Sequence, residues 1–192
     1  MQERLMEDVA NKKERLKQII AQKSLTTGNF KLASGATSTY LFDLKTTLLD
    51  PEGASLTADL ILENIAQEDV DAVGGLELGA CPIVSAVCVK SYLAGSPIKS
   101  FYVRKEKKDR GSNKLIEGCS LNAGDKVVVL EDVTTKGGSV MNAIKVIQER
   151  GCKIVKVLSV VNRLEGAKEN LEKEGVALDS LFTRDDFDIP TA

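Results

Sequence analysis

The stretch 126-KVVVLEDVTTKGGS-139 decides how the chain folds. Its apolar run, residues 127–130, is too short for a helix and rich in β-branched side chains. It reads as a strand buried on both faces, the kind that fills parallel sheets. Two carboxylates, Glu131 and Asp132, stand where the run ends. Val133, Thr134, Thr135, Lys136, Gly137, Gly138 and Ser139 follow, and apolar residues then recur at Val140, Ile144 and Ile147 with helical spacing. Strand, acidic pair, hydroxyl- and glycine-containing loop, helix is the order in which α/β folds build a phosphate site at the C-terminal edge of a sheet. The small loop residues let phosphate oxygens reach main-chain N–H groups, and the helix adds its positive end. Carboxylates would repel a phosphate but suit hydroxyl donors such as those of a ribose. The motif therefore reads as a sugar held by acids with its phosphate held by the loop, against the plainer alternative of a strand–turn–helix with a solvated acidic turn.

Outward from this motif, the totals exclude several classes. With 192 residues, 43% of them hydrophobic and 28% charged, the chain reads as one soluble globular domain, or one with a small appendage. A net charge of −2 makes nucleic acid an unexpected partner, so any anion site must be built locally. No apolar run reaches membrane-spanning length, and the N-terminus is amphipathic with mixed charge, so no membrane partner is expected and the cytoplasm is the expected location. Cys81, Cys88, Cys119 and Cys152 form no C-x-x-C pair and are expected to be buried, reduced thiols. There is no histidine, which removes every Ser-His or Cys-His nucleophile.

Before the motif, Leu5, Val9, Leu16 and Ile20 predict a helix over about 2–22, ended by Thr26, Thr27 and Gly28. Residues 30–32 and 39–42 read as two short strands around a turn at 33–37, a flap outside the main sheet. Asp50-Pro51 is a helix start, a capping acid followed by proline where its missing N–H costs nothing. Residues 70–73 read as a strand, 74-GGLELG-79 as a loop and 82–93 as a helix. This repeats the grammar of the opening motif, and by pattern alone a plain βα turn explains it equally well. After a strand at 98–103 comes 104-RKEKKDRGSNK-114, with six basic residues against two acidic ones. Such a run is either a solvated face or, beside a phosphate loop, a basic arm able to neutralise a leaving group. A strand at 154–161 ends at Asn162-Arg163, where the arginine suits either a planar carboxylate or a salt bridge. A helix at 166–174, a strand at 178–182 and a short tail from 185 complete the chain.

The stretch VVVLEDVTTKGGS resembles the phosphoribosyl-pyrophosphate (PRPP) motif of type I phosphoribosyltransferases. Matches from about Phe30 to Arg163 resemble the orotate-specific members of that family. Segment 30–42 is similar to the family's hood, whose backbone near Leu41 and Phe42 covers the orotate ring. Ala33 stands where one branch has a lysine that touches PRPP, and GLELGACP is similar to the form of the pyrophosphate loop without a lysine. RKEKKDRG resembles the catalytic loop R-K-x-x-K-D-H-G, with Arg104, Lys105 and Lys108 matching and Arg110 in place of the usual histidine. Arginine stays charged and cannot shuttle a proton, so the resemblance implies an arm that works by charge. Arg163 matches the orotate-binding arginine, with Asn162 where aspartate is usual.

The expected fold is α/β, a doubly wound, mostly parallel sheet flanked by helices, with an N-terminal helix and hood at 1–48, a core at 49–165 and a C-terminal helix, strand and tail at 166–192. The resemblance implies transfer of ribose 5-phosphate from PRPP to N1 of orotate, giving orotidine 5′-monophosphate and pyrophosphate. It assigns catalysis to Lys108, Arg110 and Asp132. It assigns PRPP to Arg104, Lys105, Lys108, Arg110, Glu131, Asp132 and residues 133–139. Orotate falls to Thr135, Arg163, Leu41 and Phe42. Mg²⁺ is implied to travel on PRPP with no direct protein ligand, and a homodimer is implied in which the partner supplies part of the basic arm. Two other readings stay open, a transferase for a purine base and a non-enzymatic PRPP sensor.

Overall fold

A computed structural model of the chain describes residues 2–31, 37–106 and 114–189. Two helices and a hairpin come first: α1 (Gln2–Lys23), β1 (Leu25–Lys31), β2 (Thr37–Phe42) and the single turn α2 (Lys45–Leu48). The body follows as α3 (Pro51–Asn64), β3 (Ala72–Leu76), α4 (Ala80–Leu93), β4 (Lys99–Val103), β5 (Ile116–Gly118), β6 (Lys126–Thr134), α5 (Gly138–Gln148), β7 (Lys153–Asn162), α6 (Ala167–Lys173) and β8 (Leu178–Thr183). Six strands form one sheet in the order β5-β4-β3-β6-β7-β8, parallel throughout except for β5 at the edge. This is the doubly wound, mostly parallel sheet expected from the strand–helix alternation.

Strand β6 is the spine. Val127, Val128, Val129 and Leu130 are all fully buried, and their alternation feeds both faces. Val128 and Leu130 join Leu16, Ile20, Leu60, Ile61, Ile83 and Val87 under α1, α3 and α4. Val127 and Val129 join Phe101, Val140, Ile144, Ile147 and Leu171 under α5 and α6. At about 1.5–3 kcal/mol for each buried aliphatic side chain, this strand is among the largest stabilising elements of the fold. Helix α3 starts as the sequence predicts: the Asp50 carboxylate accepts the Gly53 N–H at 3.0 Å, and Pro51 opens the first turn.

Several boundaries differ from the sequence expectations. Thr26, Thr27 and Gly28 do not end α1, which stops at Lys23; they lie in β1, paired antiparallel with β2. Strand β3 begins at Ala72 and runs through Gly74 and Gly75, so these glycines are strand rather than loop. The reason is steric. A Cβ on Gly75 would lie 2.1 Å from the Leu130 carbonyl oxygen and 2.6 Å from the Ala80 Cβ, so only glycine lets β6 and the start of α4 close on β3. Residues 116–118 add an edge strand, paired antiparallel with β4, that the sequence reading did not include. The C-terminal segment is not a free tail: Arg184–Asp186 form a 3₁₀ turn, and Phe187 is buried edge-on against Phe42 at 5.1 Å. Of the four cysteines only Cys152 is buried, and Cys119 is exposed.

Strands β3 and β6 are neighbours whose connections depart in opposite directions, β3 toward β4 and β6 toward β7. The crevice above this switch point is where open α/β sheets bind ligands. Because Gly75 sets the contact there, Gly75→Ala should lower stability by about 3 kcal/mol through overpacking against backbone. Among the described residues nothing beyond its chain neighbours and its own helix backbone comes within 4 Å of where a Cβ on Gly138 would stand, so Gly138→Ala should leave stability near wild type. Urea unfolding midpoints of the two variants check the contrast.

Candidate active site

Both loops above the switch point come from strand ends. Strand β6 continues past its apolar run and carries Glu131 and Asp132 within the strand, not beyond it. Glu131 is 7% exposed. One carboxylate oxygen, Oε1, accepts the Ser139 hydroxyl at 3.1 Å, and the other, Oε2, is buried without a partner. Burial, aided by the Asp132 charge, pushes the Glu131 carboxyl up to about 8 against the Ser139 hydrogen bond and the Lys105 charge. Burial also raises Asp132, opposed by the Val133 N–H at 2.8 Å and by the charge of Lys45. Lys45 itself pairs with Asp43 at 2.6 Å. An acid pair that resists losing both protons is primed for hydroxyl donors or positive charge.

The turn after β6 swings into α5 through Gly137, whose φ of +82° an ordinary side chain rarely adopts. Gly138 and Ser139 are exposed at the start of the eleven-residue α5, where the first N–H groups have no partner within the helix. Lys136 is exposed and its carbonyl accepts Asn170 Nδ2 at 3.0 Å, tying the loop to α6. Thr135 is half-buried, whereas the Thr134 hydroxyl points inward to Ser159 Oγ at 3.3 Å. Of the three hydroxyls at 134, 135 and 139, Thr134's is thus engaged in the interior and Ser139's with Glu131.

The β3–α4 loop lies against the acid pair. A Cβ on Gly79 would sit 2.5 Å from an Asp132 carboxylate oxygen, which explains why this loop carries no lysine or other side chain there. Two residues earlier, the Glu77 N–H donates to the Val103 carbonyl at 2.8 Å, and Glu77 Oε1 accepts the Lys105 N–H at 2.9 Å. The root of the basic arm is therefore fastened to this loop. Arg104 donates its N–H to Leu115 O at 2.8 Å and its Nε to Glu106 O at 3.2 Å. Between arm and α5 lies a cavity of about 340 Å³ lined by Arg104, Lys105, Ser139 and Asn142. Ala33, Lys108 and Arg110 fall outside the described residues.

Arg163 extends β7 by one rung, its N–H donating to Thr134 O at 2.9 Å. The residue is 5% exposed; its side chain donates Nε to Tyr40 Oη at 3.3 Å and Nη2 to Ser38 Oγ at 3.2 Å, and stacks over the Tyr40 ring at 4.4 Å. Its carboxylate partner is Glu165, at 2.8 Å. The arginine thus joins hood to sheet and also makes the salt bridge that its position allowed, with its own end buried and Glu165 half-buried. In the hood, Leu41 is exposed while the Phe42 side chain is buried, leaving backbone as the surface Phe42 can offer a ligand. Glu77, Ser38, Tyr40, Lys45 and Glu165 escaped the sequence reading. Tyr40 and Arg163 are separated by 123 positions, and no local pattern joins them.

Among the described residues no group of three or more acidic, cysteine or histidine side chains is arranged to hold a metal ion, and no helix is long and apolar enough to cross a membrane.

Residues 46–183 match the phosphoribosyl transferase domain family. The orotate phosphoribosyltransferase of Rhodopseudomonas palustris (strain BisB5) is 44% identical over 176 residues, 90% of this chain and 94% of that protein. The orotate phosphoribosyltransferase of Mycobacterium tuberculosis H37Rv, crystallised with Fe(III) dicitrate, superposes with a TM-score of 0.80 at 35% identity, covering 91% of this chain and 98% of that one. Its crystal structure with PRPP gives 0.74 at 31% identity, covering 92% and 91%. With the site at the switch point and these likenesses spanning nearly the whole chain, the protein belongs to the orotate phosphoribosyltransferases of the phosphoribosyltransferase family.

Proposed function

We propose that the chain transfers ribose 5-phosphate from PRPP to N1 of orotate, in pyrimidine nucleotide synthesis in the cytoplasm. The single observation that carries this reading is the unpartnered, buried Oε2 of Glu131 beside Asp132, above the β3–β6 switch point. A buried acceptor without a donor is costly unless a ligand supplies one, and ribose hydroxyls do so. The similar M. tuberculosis protein, 31% identical, crystallises in complex with PRPP, which supports the same ligand here.

In this mechanism N1 of orotate gives up its proton, which departs with the pyrophosphate, and bonds to the anomeric carbon as the carbon–oxygen bond to pyrophosphate breaks. Positive charge grows on the ribose and negative charge on the diphosphate. Glu131 and Asp132 hold the ribose hydroxyls and offset the positive charge, Asp132 being the catalytic residue of the pair. Residues 133–139 receive the 5′-phosphate through N–H groups and the α5 terminus. Arg104, Lys105, Lys108 and Arg110 neutralise the leaving group by charge alone. Thr135, Arg163 and the backbone at Leu41 and Phe42 recognise orotate. Mg²⁺ would arrive bound to PRPP, whose diphosphate and ribose oxygens suit a hard cation, and would neutralise charge there with no protein ligand of its own.

A homodimer completes the reading. Leu78, Val89, Tyr92 and Leu93 are 69%, 59%, 73% and 73% exposed. On α4, residues 85, 89, 92 and 93 share one helical stripe, continued by Leu78 in the loop beside Asp132. A second copy covering this stripe would bring its own basic arm to the site. Mixing Lys108→Ala with Asp132→Asn protein should restore activity that neither has alone, and Val89→Asp/Leu93→Asp should sediment as a monomer. Failure of both sinks the shared-site dimer.

Following loss of orotate absorbance with Mg²⁺ and PRPP tests the reaction. Orotate should be used far better than uracil, hypoxanthine or xanthine, and Arg163→Ala should raise KM for orotate at least about tenfold, as expected for a lost charge-assisted contact. Preference for a purine would establish the rival transferase, and PRPP binding without turnover on any base would establish the sensor.

The ligand-free protein should show the cost of the acid pair. With its pKa raised to about 8 from an ordinary 4.5, Glu131 holds its proton longer in the folded than in the unfolded state. Its contribution is present below about 4.5 and is lost as pH rises toward 8, with a slope of up to about 1.4 kcal/mol per pH unit. Urea unfolding between pH 5.5 and 8, above the range where Asp50, Glu52 and Asp125 titrate, should show falling stability. Glu131→Gln should flatten that slope.

A further inference from the structure

We infer that Glu77 is a positioning residue for the basic arm: its carboxylate clasps the main chain at Lys105 and so sets that lysine in the cavity it shares with Ser139, whose hydroxyl donates to Glu131. The inference rests on the proposed transfer reaction for its functional consequence, but its geometry stands independently.

A carboxylate is a strange component for a loop that faces a diphosphate, since its charge opposes ligand binding. Glu77 is half-buried at the end of β3, and its charge, behind burial, helps raise the neighbouring Cys81 thiol. Its position makes sense as a clasp. The Glu77 N–H donates to Val103 O at 2.8 Å, the last residue of β4, and Glu77 Oε1 accepts from the Lys105 N–H at 2.9 Å. Together these bonds span residues 103–105 and carry the β3–β4 ladder past its last paired residues, Leu76 and Val103. On its other side the arm root is held once more, by the Arg104 N–H to Leu115 O at 2.8 Å. From this fixed root the Lys105 ammonium acts on Glu131, and both Arg104 and Lys105 line the cavity that reaches Ser139. The clasp connects the β3 loop to the arm, so the two anion-binding segments keep one geometry while the substrate is absent. An acceptor is what the position requires, not a charge. Glutamine keeps it and alanine removes it.

The test uses the full-length protein and compares Glu77→Ala with Glu77→Gln. Without ligands, amide exchange of peptides covering 104–106 should quicken about tenfold in Glu77→Ala, the effect of losing one charge-assisted hydrogen bond, and stay near wild type in Glu77→Gln. In both variants the Cys81 thiol should react faster with a maleimide, reporting that the charge has gone. In the transferase assay Glu77→Ala should lose about tenfold in kcat/KM for PRPP while KM for orotate holds, with Glu77→Gln within about threefold of wild type. Adding Glu77→Ala to Lys105→Ala should cost little more than Lys105→Ala alone, because the clasp acts through that lysine. Equal exchange in the two variants, full additivity with Lys105→Ala, or equal kinetic loss from alanine and glutamine would overturn the inference. Loss of exchange protection in a protein inactive on orotate would instead uphold the clasp and overturn the proposed reaction.

Discussion

Everything at the site depends on how closely β3 and β6 approach at the switch point. Gly75 faces the Leu130 carbonyl and Ala80 with no room for one carbon, and Gly79 faces the Asp132 carboxylate in the same way. These two contacts bring the β3 loop down onto the acid pair. A side chain at either place would part the two strand ends and lift the β3 loop off the acid pair. Packing at this density is unforgiving, which is why the smallest residue occupies both positions.

On this frame the electrostatics are arranged against the empty state. Glu131 and Asp132 are buried next to each other, and both carboxyls are raised by burial. Ser139, the Val133 N–H, Lys105 and Lys45 relieve the cost only in part. The remaining deficit is what a polyhydroxylated, charge-developing ligand can repair. Preorganisation of this sort stores unfavourable interaction in the free protein and releases it on binding. Arg163 is treated oppositely. Tyr40, Ser38 and Glu165 already satisfy it, so its burial costs little, and the same contacts hold the hood over the sheet.

The sequence carried the strand–acid–loop–helix order and the alternation that makes the sheet, because both arise from neighbours a few positions apart. Strand ends were less legible. The apolar run of β6 stopped at Leu130 to the eye, yet pairing with β7 continues to Thr134 because the adjacent strand supplies partners irrespective of side-chain polarity. The same holds for β3, where glycines look like loop until Leu130 and Ala80 show why nothing larger fits. Thr26 to Gly28 looked like a helix stop and are strand because β2 pairs with them. Phe187 looked like tail and is core because Phe42 lies across from it.

By itself, the sequence determined the fold class, the strand–acid–loop–helix order of residues 126–148 and the residue types that loop carries. These follow from short-range periodicity and from chemistry that each residue brings with it. Only the tertiary structure decided which groups meet: Glu131 with an oxygen left unpaired, Gly79 against Asp132, Glu77 clasping Lys105, and Arg163 stacked on Tyr40. Those contacts join residues from 28 to 123 positions apart in the two cases where hydrogen bonds record them. Closing such loops costs chain entropy that only the assembled sheet repays, so no local pattern announces them.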